Sequence, residues 1–131
     1  MITIDITTHQ KVEMIDITSR IRQVIAESGL SSGLALLHVP HTTAGITINE
    51  HADPDVARDV VMELNKIVPF EDHYRHGEGN SPAHIKSTLV GAQQWLIIAE
   101  GKPVLGTWQG LFYCEFDGPR QRKLHVKMVS A

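Results

Sequence analysis

The sequence is poor in cysteine, in long apolar runs and in excess positive charge. With one cysteine in 131 residues, no disulfide can form within the chain. The first residues alternate in polarity and do not form a leader, so we expect a cytoplasmic location. No apolar run approaches the ~20 residues that cross a bilayer, so no membrane association is expected. The formal net charge of -3 argues against a broad nucleic-acid surface.

What the chain does have is the composition of an ordinary globular domain. Hydrophobic residues make up 42% of it and charged residues 21%, and a chain of this length can bury a core without disulfides. It contains no internal repeat, low-complexity run or linker-like segment. We therefore predict a single domain over residues 1–131.

Hydrophobic periodicity divides the chain into strands and helices. Ile2, Ile4 and Ile6 alternate with polar residues, which is the period of a strand with one buried face. Asp53 and Ser81 each precede a proline, which indicates a helix start. The predicted elements are an opening strand, helices over about 19–28, 54–68 and 82–90, and strands over 34–39, 45–49, 95–99, 104–105, 107–116 and 123–129. We expect the strands over 34–39 and 45–49 to pair with each other, and the last strands to form a meander.

Histidines are frequent and unevenly placed. Six of the eight lie between positions 38 and 84. Imidazole is the commonest metal ligand and titrates nearest neutral pH, so the clustering points to a site without defining it. His41 stands at the corner between two predicted strands and is followed by Thr42 and Thr43. Their hydroxyls can bind an anion or brace the turn, and both interpretations stay open.

Asn49 and Glu50 end the next predicted strand and directly precede a helix. The N-terminus of a helix is a natural position for an anion or a cofactor. Alternatively, Asn49 makes a turn and Glu50 adds favourable charge near the helix start. We favour a functional role for Glu50 and leave both interpretations open for Asn49.

The segment 70–80 has no apolar period and is predicted to be a loop, which at this length is more often functional than a simple connector. It carries His76. His84 falls in the first turn of the following helix, where the positive end of the helix dipole disfavours a charged ring and suits a metal ligand or a general base. Lys86 points away from His84 on an ideal helix, yet it could reach a phosphate. The His-x7-His spacing itself has little specificity.

Two further segments contribute candidates. Trp108 stands between glycines and either walls a ligand pocket or packs in the core, which is the commoner case; its neighbour Gln109 is the better functional candidate. Arg120 and Arg122 follow a turn, where a solvated strand face is favoured over a phosphate clamp. Cys114 lies in an apolar strand and is expected to be inert packing.

Taken in order, these segments resemble one family. They are His41-Thr42-Thr43-Ala44, Asn49-Glu50 with Asp53-Pro54, Tyr74-x-His76, Ala83-His84-Ile85-Lys86 and Gly106-Thr107-Trp108-Gln109-Gly110. Each motif is weak alone, but the ordered set, which extends over residues 34–122, is specific. On these residues the chain is identified as a member of the YjbQ family, also called the UPF0047 family.

The resemblance implies an α+β fold of two packed, mainly antiparallel sheets with two to three helices, and a homotrimer with sites near the subunit boundaries. The family is described as having a weak, secondary thiamine-phosphate synthase activity, which joins a pyrimidine methyl diphosphate to a thiazole phosphate and releases pyrophosphate. Carried over by motif, the site residues are His41, Glu50 and His84 as catalytic groups, His41, His76 and His84 as metal ligands, and Thr42, Thr43, Asn49, Lys86, Trp108 and Gln109 as substrate-binding groups. Arg120, which lies outside these motifs, is added as a substrate-binding group that assists Lys86 in the enzyme hypothesis. His51 stands where a neutral amide is expected and is left out, with His38 and His73.

Three hypotheses follow. The first is an enzyme of small phosphorylated compounds whose histidines hold a divalent metal ion; imidazoles favour zinc, and magnesium, which prefers oxygen ligands, is the alternative. The second is a metal- or ligand-binding homotrimer without turnover. The third is that the histidines only satisfy polar groups at a subunit interface. No complete nucleophile triad, glycine-rich phosphate loop or paired-carboxylate motif decides among them.

Overall fold

The computed structural model describes residues 1–131 as two antiparallel sheets and three helices. The strands are Ile2–Thr7 (β1), Glu13–Asp16 (β2), Gly33–His38 (β3), Ala44–Glu50 (β4), Gln93–Ala99 (β5), Lys102–Pro103 (β6), Gln109–Glu115 (β7) and Gln121–Ser130 (β8). The helices are Thr18–Ser28 (α1), Pro54–Ile67 (α2) and Ser81–Val90 (α3). The predicted α+β class with two packed antiparallel sheets is confirmed.

The order of the strands differs from the predicted order. One sheet runs β1-β8-β3-β5-β6 and the other runs β2-β7-β4. The expected pairing of β3 with β4 is wrong, because β3 pairs with β5 and β8 while β4 pairs with β7. At the corner between them, the Val39 N–H donates to the carbonyl of Ala92, 2.8 Å away, and Pro40 has no N–H to continue a ladder. The expected meander is also wrong, since β7 and β8 lie in different sheets.

The main core fills the space between the two sheets and α1. It combines Leu37 and Leu124 of the larger sheet, Tyr113 of the smaller sheet, and Ile21 and Ile25 of α1, none of which is exposed. The residues of each strand and of α1 reach this core with the periods of 2 and 3.6 that their sequence shows. Burial of these side chains holds the two sheets face to face.

A second, smaller core lies on the opposite face of the three-stranded sheet. Phe112 and Cys114 of β7 pack there against Ala83 of α3 and against the partly buried Ala57 and Leu64 of α2. Burial raises the pKa of the Cys114 thiol to about 12, which agrees with its prediction as inert packing. Helix α2 contributes no fully buried residue to this core.

The outer face of the five-stranded sheet carries an exposed apolar patch beside polar residues such as Asp5 and Lys123. It carries Leu34, Trp95, Ile97 and Val129, and Leu34 lies opposite both Ile97 and Val129 in the ladder. A contiguous exposed apolar patch of this kind is typical of an interaction surface. None of the helices is long and apolar enough to cross a membrane.

Candidate functional site

A polar cleft of about 750 Å³ opens where the β3–β4 corner, the 70–80 loop, the start of α3 and the start of β8 meet. Only two of its thirteen lining residues are hydrophobic. We call it the histidine cleft. Its polar lining consists of His38, His41, Thr42, Thr43, His76, Glu78, Asn80, His84, Arg120 and Arg122.

The ring of His41 is fixed by the backbone of β8. Its Nε2 accepts a hydrogen bond of 2.9 Å from the Lys123 N–H, so the neutral ring carries its proton on Nδ1. Burial and the positive charge of Arg122 lower the pKa of His41. Nδ1 makes no hydrogen bond within the chain, so His41 offers the cleft a neutral N–H donor.

Arg122 also lines the cleft, and its favoured placement on a solvated strand face is wrong. It is 4% exposed, its Nε donates to Glu115 at 2.9 Å, and its Nη2 donates to the Thr43 hydroxyl at 2.8 Å. Nη1 makes no hydrogen bond within the chain. The signal for burial was present, since Arg122 has the same parity in β8 as the core residues Leu124 and Val126.

Glu115 is the counterion that holds Arg122. This carboxylate is fully buried and also accepts from the Thr8 hydroxyl at 2.7 Å and from the N–H groups of Phe116 and Asp117 at 3.0 and 3.1 Å. Burial alone would raise the pKa of Glu115, but these hydrogen bonds and the Arg122 charge outweigh it and lower the pKa. The carboxylate is therefore ionised, and it fixes the guanidinium at the edge of the cleft.

Asp117 ties the 70–80 loop to the turn before β8. It accepts hydrogen bonds from Arg120 Nη2 at 2.8 Å and from Asn80 Nδ2 at 2.9 Å. Arg120, which is half exposed, also donates from Nε to the Asp117 carbonyl at 2.7 Å. Part of the Arg120 charge is therefore balanced within the protein.

His76 and His84 lie against each other, edge to face, in the lining of the histidine cleft. Their ring centroids lie 5.5 Å apart at an interplanar angle of 84°, and neither ring makes a hydrogen bond within the chain. The structure thus gathers six of the candidates predicted from the sequence in one cleft. These are His41, Thr42, Thr43, His76, His84 and Arg120.

Four other candidates lie elsewhere, at the opposite end of β4. Glu50 pairs with Gln109 in the β4–β7 ladder, at the far end of a seven-residue strand, about 20 Å from the corner. Asn49 accepts from the Glu50 N–H at 2.7 Å, and Gln109 braces a turn by accepting from the Gly106 N–H at 2.7 Å. Trp108 is 62% exposed, so its favoured placement in the core is wrong.

His51, which the motifs left out, belongs to this far end. Its Nδ1 lies 2.8 Å from Asp16 Oδ2, and the other oxygen of Asp16 accepts from the Thr18 N–H at the start of α1. The ring also lies against Gly110, where an added Cβ would come within 2.4 Å of His51 Cγ. His51 is therefore part of the packing of this end of the sheet.

Lys86 does not line the histidine cleft. It is fully buried, and its Nζ has no hydrogen-bond partner. Its ammonium lies 4.3 Å from the centroid of the Phe70 ring, which also lies 4.5 Å from Lys11 Nζ. Burial, and then the charge of Lys11, lower the pKa of Lys86.

The residues of one chain do not form the predicted three-histidine metal site. No three side chains of His, Cys, Asp or Glu come together as ligands for one ion. If His41 bound a metal through Nδ1, its proton would move to Nε2 and face the Lys123 N–H, placing two donors against each other. His76 and His84 have no such constraint and offer two imidazole ligands.

Comparisons with known proteins agree with this fold. The family model described as "UPF0047 protein YjbQ-like" matches residues 2–131. The chain is 53% identical over 124 residues to UPF0047 protein MJ1081 of Methanocaldococcus jannaschii, covering 95% of this chain and 90% of the relative. It is 51% identical over 128 residues to UPF0047 protein YugU of Bacillus subtilis, covering 97% of each.

Solved structures are equally similar. A YjbQ/UPF0047 family protein from Clostridium acetobutylicum superposes with a TM-score of 0.96 at 51% identity, covering 98% of this chain and all of that one. A YbjQ-like protein of unknown function from Sulfolobus solfataricus gives 0.94 at 32% identity, covering 98% and 95%. With the family model matched over nearly the whole length, the chain belongs to the YjbQ-like UPF0047 family.

Proposed function

We propose that the histidine cleft binds the phosphate group of a small phosphorylated compound, and that the protein acts on this compound as an enzyme with weak thiamine-phosphate synthase activity. Two unpartnered hydrogen-bond donors in the cleft support the proposal. The Nδ1–H of His41 and the Nη1 of Arg122 both belong to residues that line the cleft, and neither has a partner within the chain. Fixed donors without protein partners are suited to an anion.

The chemistry that this arrangement would supply is stabilisation of negative charge. Loss of pyrophosphate places charge on the departing oxygens, and the donors of His41, Arg120 and Arg122 would offset it. The new C–N bond forms from the lone pair of the thiazole nitrogen as the C–O bond to pyrophosphate breaks, so no proton leaves the nucleophile, and the His84 ring would donate a hydrogen bond to the departing pyrophosphate oxygen. Because Glu115 holds Arg122 and the backbone holds His41, these donors need little reorganisation when the anion arrives.

Calorimetric titration with inorganic phosphate and pyrophosphate tests the binding step. The native protein should bind saturably, and His41→Ala and Arg120→Gln should each weaken binding about tenfold, the value of one charge-assisted hydrogen bond. Arg58→Ala, which removes an exposed arginine of α2, is the matched control and should bind as the native chain does. If the native protein does not bind, or all variants bind alike, the assignment of the cleft is wrong.

Turnover distinguishes the enzyme from a binding module. The pyrimidine methyl diphosphate and the thiazole phosphate are supplied together, and formation of thiamine phosphate is followed chromatographically. Saturable product formation that is lost in His84→Ala, with the fold intact by circular dichroism, supports the enzyme. Binding without turnover supports the alternative, a ligand-binding homotrimer.

A divalent metal ion is a second candidate ligand, which the unpartnered pair His76 and His84 favours. Two imidazoles suit zinc better than magnesium, and the missing ligands would come from the bound phosphate or from a second copy. Metal content per chain, measured by mass spectrometry on tag-free protein, should fall in His76→Ala and His84→Ala and persist in His41→Ala. A native chain that stays metal-free after addition of zinc would refute the metal and leave the phosphate site untouched.

We also propose the homotrimer that the family resemblance implies. The exposed apolar face formed by Leu34, Trp95, Ile97 and Val129 supports it, because a second copy would cover that face. In a closed ring each copy contributes two different surfaces, so the Glu50 end of one copy could complete the cleft of the next. Light scattering should show a trimer for the native chain and a smaller species for Trp95→Glu; an unchanged mass for that variant would exclude this face.

A further inference from the structure

The His76–His84 pair also lines a second cleft. This one, of about 330 Å³, is also lined by Tyr74, Arg75, Ser81 and Ile85. We call it the Arg75 cleft. The two imidazoles, with ring centroids 5.5 Å apart, are therefore shared by both clefts.

The Arg75 cleft contains donors and no carboxylate. Arg75 makes no ion pair and no hydrogen bond within the chain, whereas Arg120 and Arg122 are both bound to carboxylates. The Ser81 hydroxyl and both imidazoles are likewise without partners. Tyr74 is held in place, since its hydroxyl donates to the Pro69 carbonyl at 2.6 Å.

We propose that the Arg75 cleft binds a second anionic group of the same ligand. The ligand class is then a small molecule with a phosphate at one end, seated in the histidine cleft, and a phosphate or carboxylate at the other end, seated on Arg75. This inference rests on the proposed function only for the phosphate bound in the histidine cleft. The two-ended ligand is distinct from the pyrimidine methyl diphosphate and the thiazole phosphate, each of which carries its phosphate at one end. Arg75 acts as the residue that selects two-ended anions over one-ended ones.

Geometry and charge support this assignment together. Because His76 and His84 line both clefts, a ligand that extends from one cleft into the other would contact this pair of rings. An unpaired guanidinium beside unpartnered donors favours a doubly charged group, because each charge-assisted hydrogen bond to it is stronger than one between neutral groups. Glu78, in contrast, gives the histidine cleft one acidic neighbour that the Arg75 cleft does not have.

The test compares ligands that differ only at the second end. Butyl phosphate, 4-(phosphonooxy)butanoate and butane-1,4-diyl bisphosphate are titrated calorimetrically at one fixed ionic strength, with their six-carbon homologues to cover a wider span. The proteins are the native chain, Arg75→Gln and Arg22→Gln. Arg22 is the matched control, because it is another exposed arginine without an ion pair, on α1 and outside both clefts.

The native chain should bind at least one of the two-ended ligands about tenfold more tightly than its one-ended partner. Arg75→Gln should remove this gain and leave the affinity for butyl phosphate unchanged, and Arg22→Gln should alter neither. The proposal is overturned if both ligand types bind equally, or if the gain survives in Arg75→Gln. Binding of butyl phosphate separately reports on the histidine cleft, so failure of the proposed function would show as its absence.

A larger gain for the bisphosphate than for the carboxylate identifies the second group as phosphate, and the reverse identifies it as a carboxylate. Either result supports the second cleft, since both depend on Arg75. A gain of equal size in native, Arg75→Gln and Arg22→Gln proteins would show only general attraction of charge and would refute it.

Discussion

Two buried cations, Arg122 and Lys86, differ in whether they have hydrogen-bond partners. Arg122 has a carboxylate and a hydroxyl as partners, and it is 4% exposed. Lys86 is 0% exposed, yet its Nζ has no hydrogen-bond partner and lies over the face of the Phe70 ring. Burial alone therefore does not determine whether a charge stabilises or destabilises the fold; the presence of a partner does.

The largest effect is expected from removing the partner of Arg122. Glu115→Leu leaves the guanidinium buried without a counterion and should lower the free energy of unfolding by about 3–5 kcal/mol. Urea denaturation measures this. Arg122→Met added to Glu115→Leu should recover part of the loss, because the remaining charge is then gone. Strictly additive losses would show that the two side chains do not act as a pair.

Removing the charge of Lys86 should raise the free energy of unfolding instead of lowering it. Lys86→Met keeps the length of the side chain and removes the unpartnered ammonium, so the free energy of unfolding should rise by about 1 kcal/mol. The exposed Lys66→Met on α2 is the control and should stay within about 0.5 kcal/mol of the native value. A destabilised Lys86→Met would mean that the contact with Phe70 outweighs the burial.

The same lysine predicts an alkaline pH dependence. Because burial lowers its pKa in the folded state, the unfolded chain holds this proton at a higher pH than the folded chain does. Stability should therefore rise with pH between the folded pKa and the ordinary lysine range near ~10.4. The difference between native and Lys86→Met proteins should shrink over this range, as measured by urea midpoints; a constant difference would contradict the prediction.

A smaller effect on stability is expected from the titration of His41. Burial and Arg122 lower the pKa of His41, so as the pH falls the unfolded chain takes up the proton first. The stabilising contribution is present above pH ~6.5 and is lost as the pH falls through the folded pKa. His41→Gln should flatten this part of the curve, and an unchanged slope would assign the dependence to other groups.

The smallest effect is expected at an exposed cation. Arg58 pairs with Asp55 at 3.1 Å on the surface of α2, and Arg58→Ala should cost less than about 0.5 kcal/mol in urea denaturation. This variant measures what an exposed ion pair contributes, for comparison with the buried pair of Arg122 and Glu115. A loss as large as that of Glu115→Leu would show that burial is not what separates the two cases.

Local pattern predicted the elements of the fold well and their partners poorly. Asp53 before Pro54 predicted α2, and the Asp53 side chain does accept from the Asp55 N–H at 2.9 Å. The alternation from Ile2 likewise predicted β1. The partner of a strand depends on which distant segment meets it, however, and the contact of Val39 with Ala92 across the corner has no local signature.

The sequence likewise predicted some members of the candidate site correctly and others not. His41, His76 and His84 come together because the corner, the loop and α3 converge, as their motifs suggested. Glu50 does not join them. It is close to His41 in sequence, but the extended strand β4 lies between them and holds Glu50 at its far end. Arg122 was predicted to lie on a solvated face because basic residues after a turn usually face solvent, although its parity in β8 indicated burial.

Helix α2, finally, covers the second core without placing one fully buried residue in it. Its attachment therefore rests on partly buried side chains such as Ala57 and Leu64. Elements of this kind open locally at a lower free energy than the rest of a domain. Amide hydrogens of α2 should thus exchange with deuterium well before those of β7 beneath it. We therefore expect this helix to unfold locally while the three-stranded sheet stays folded.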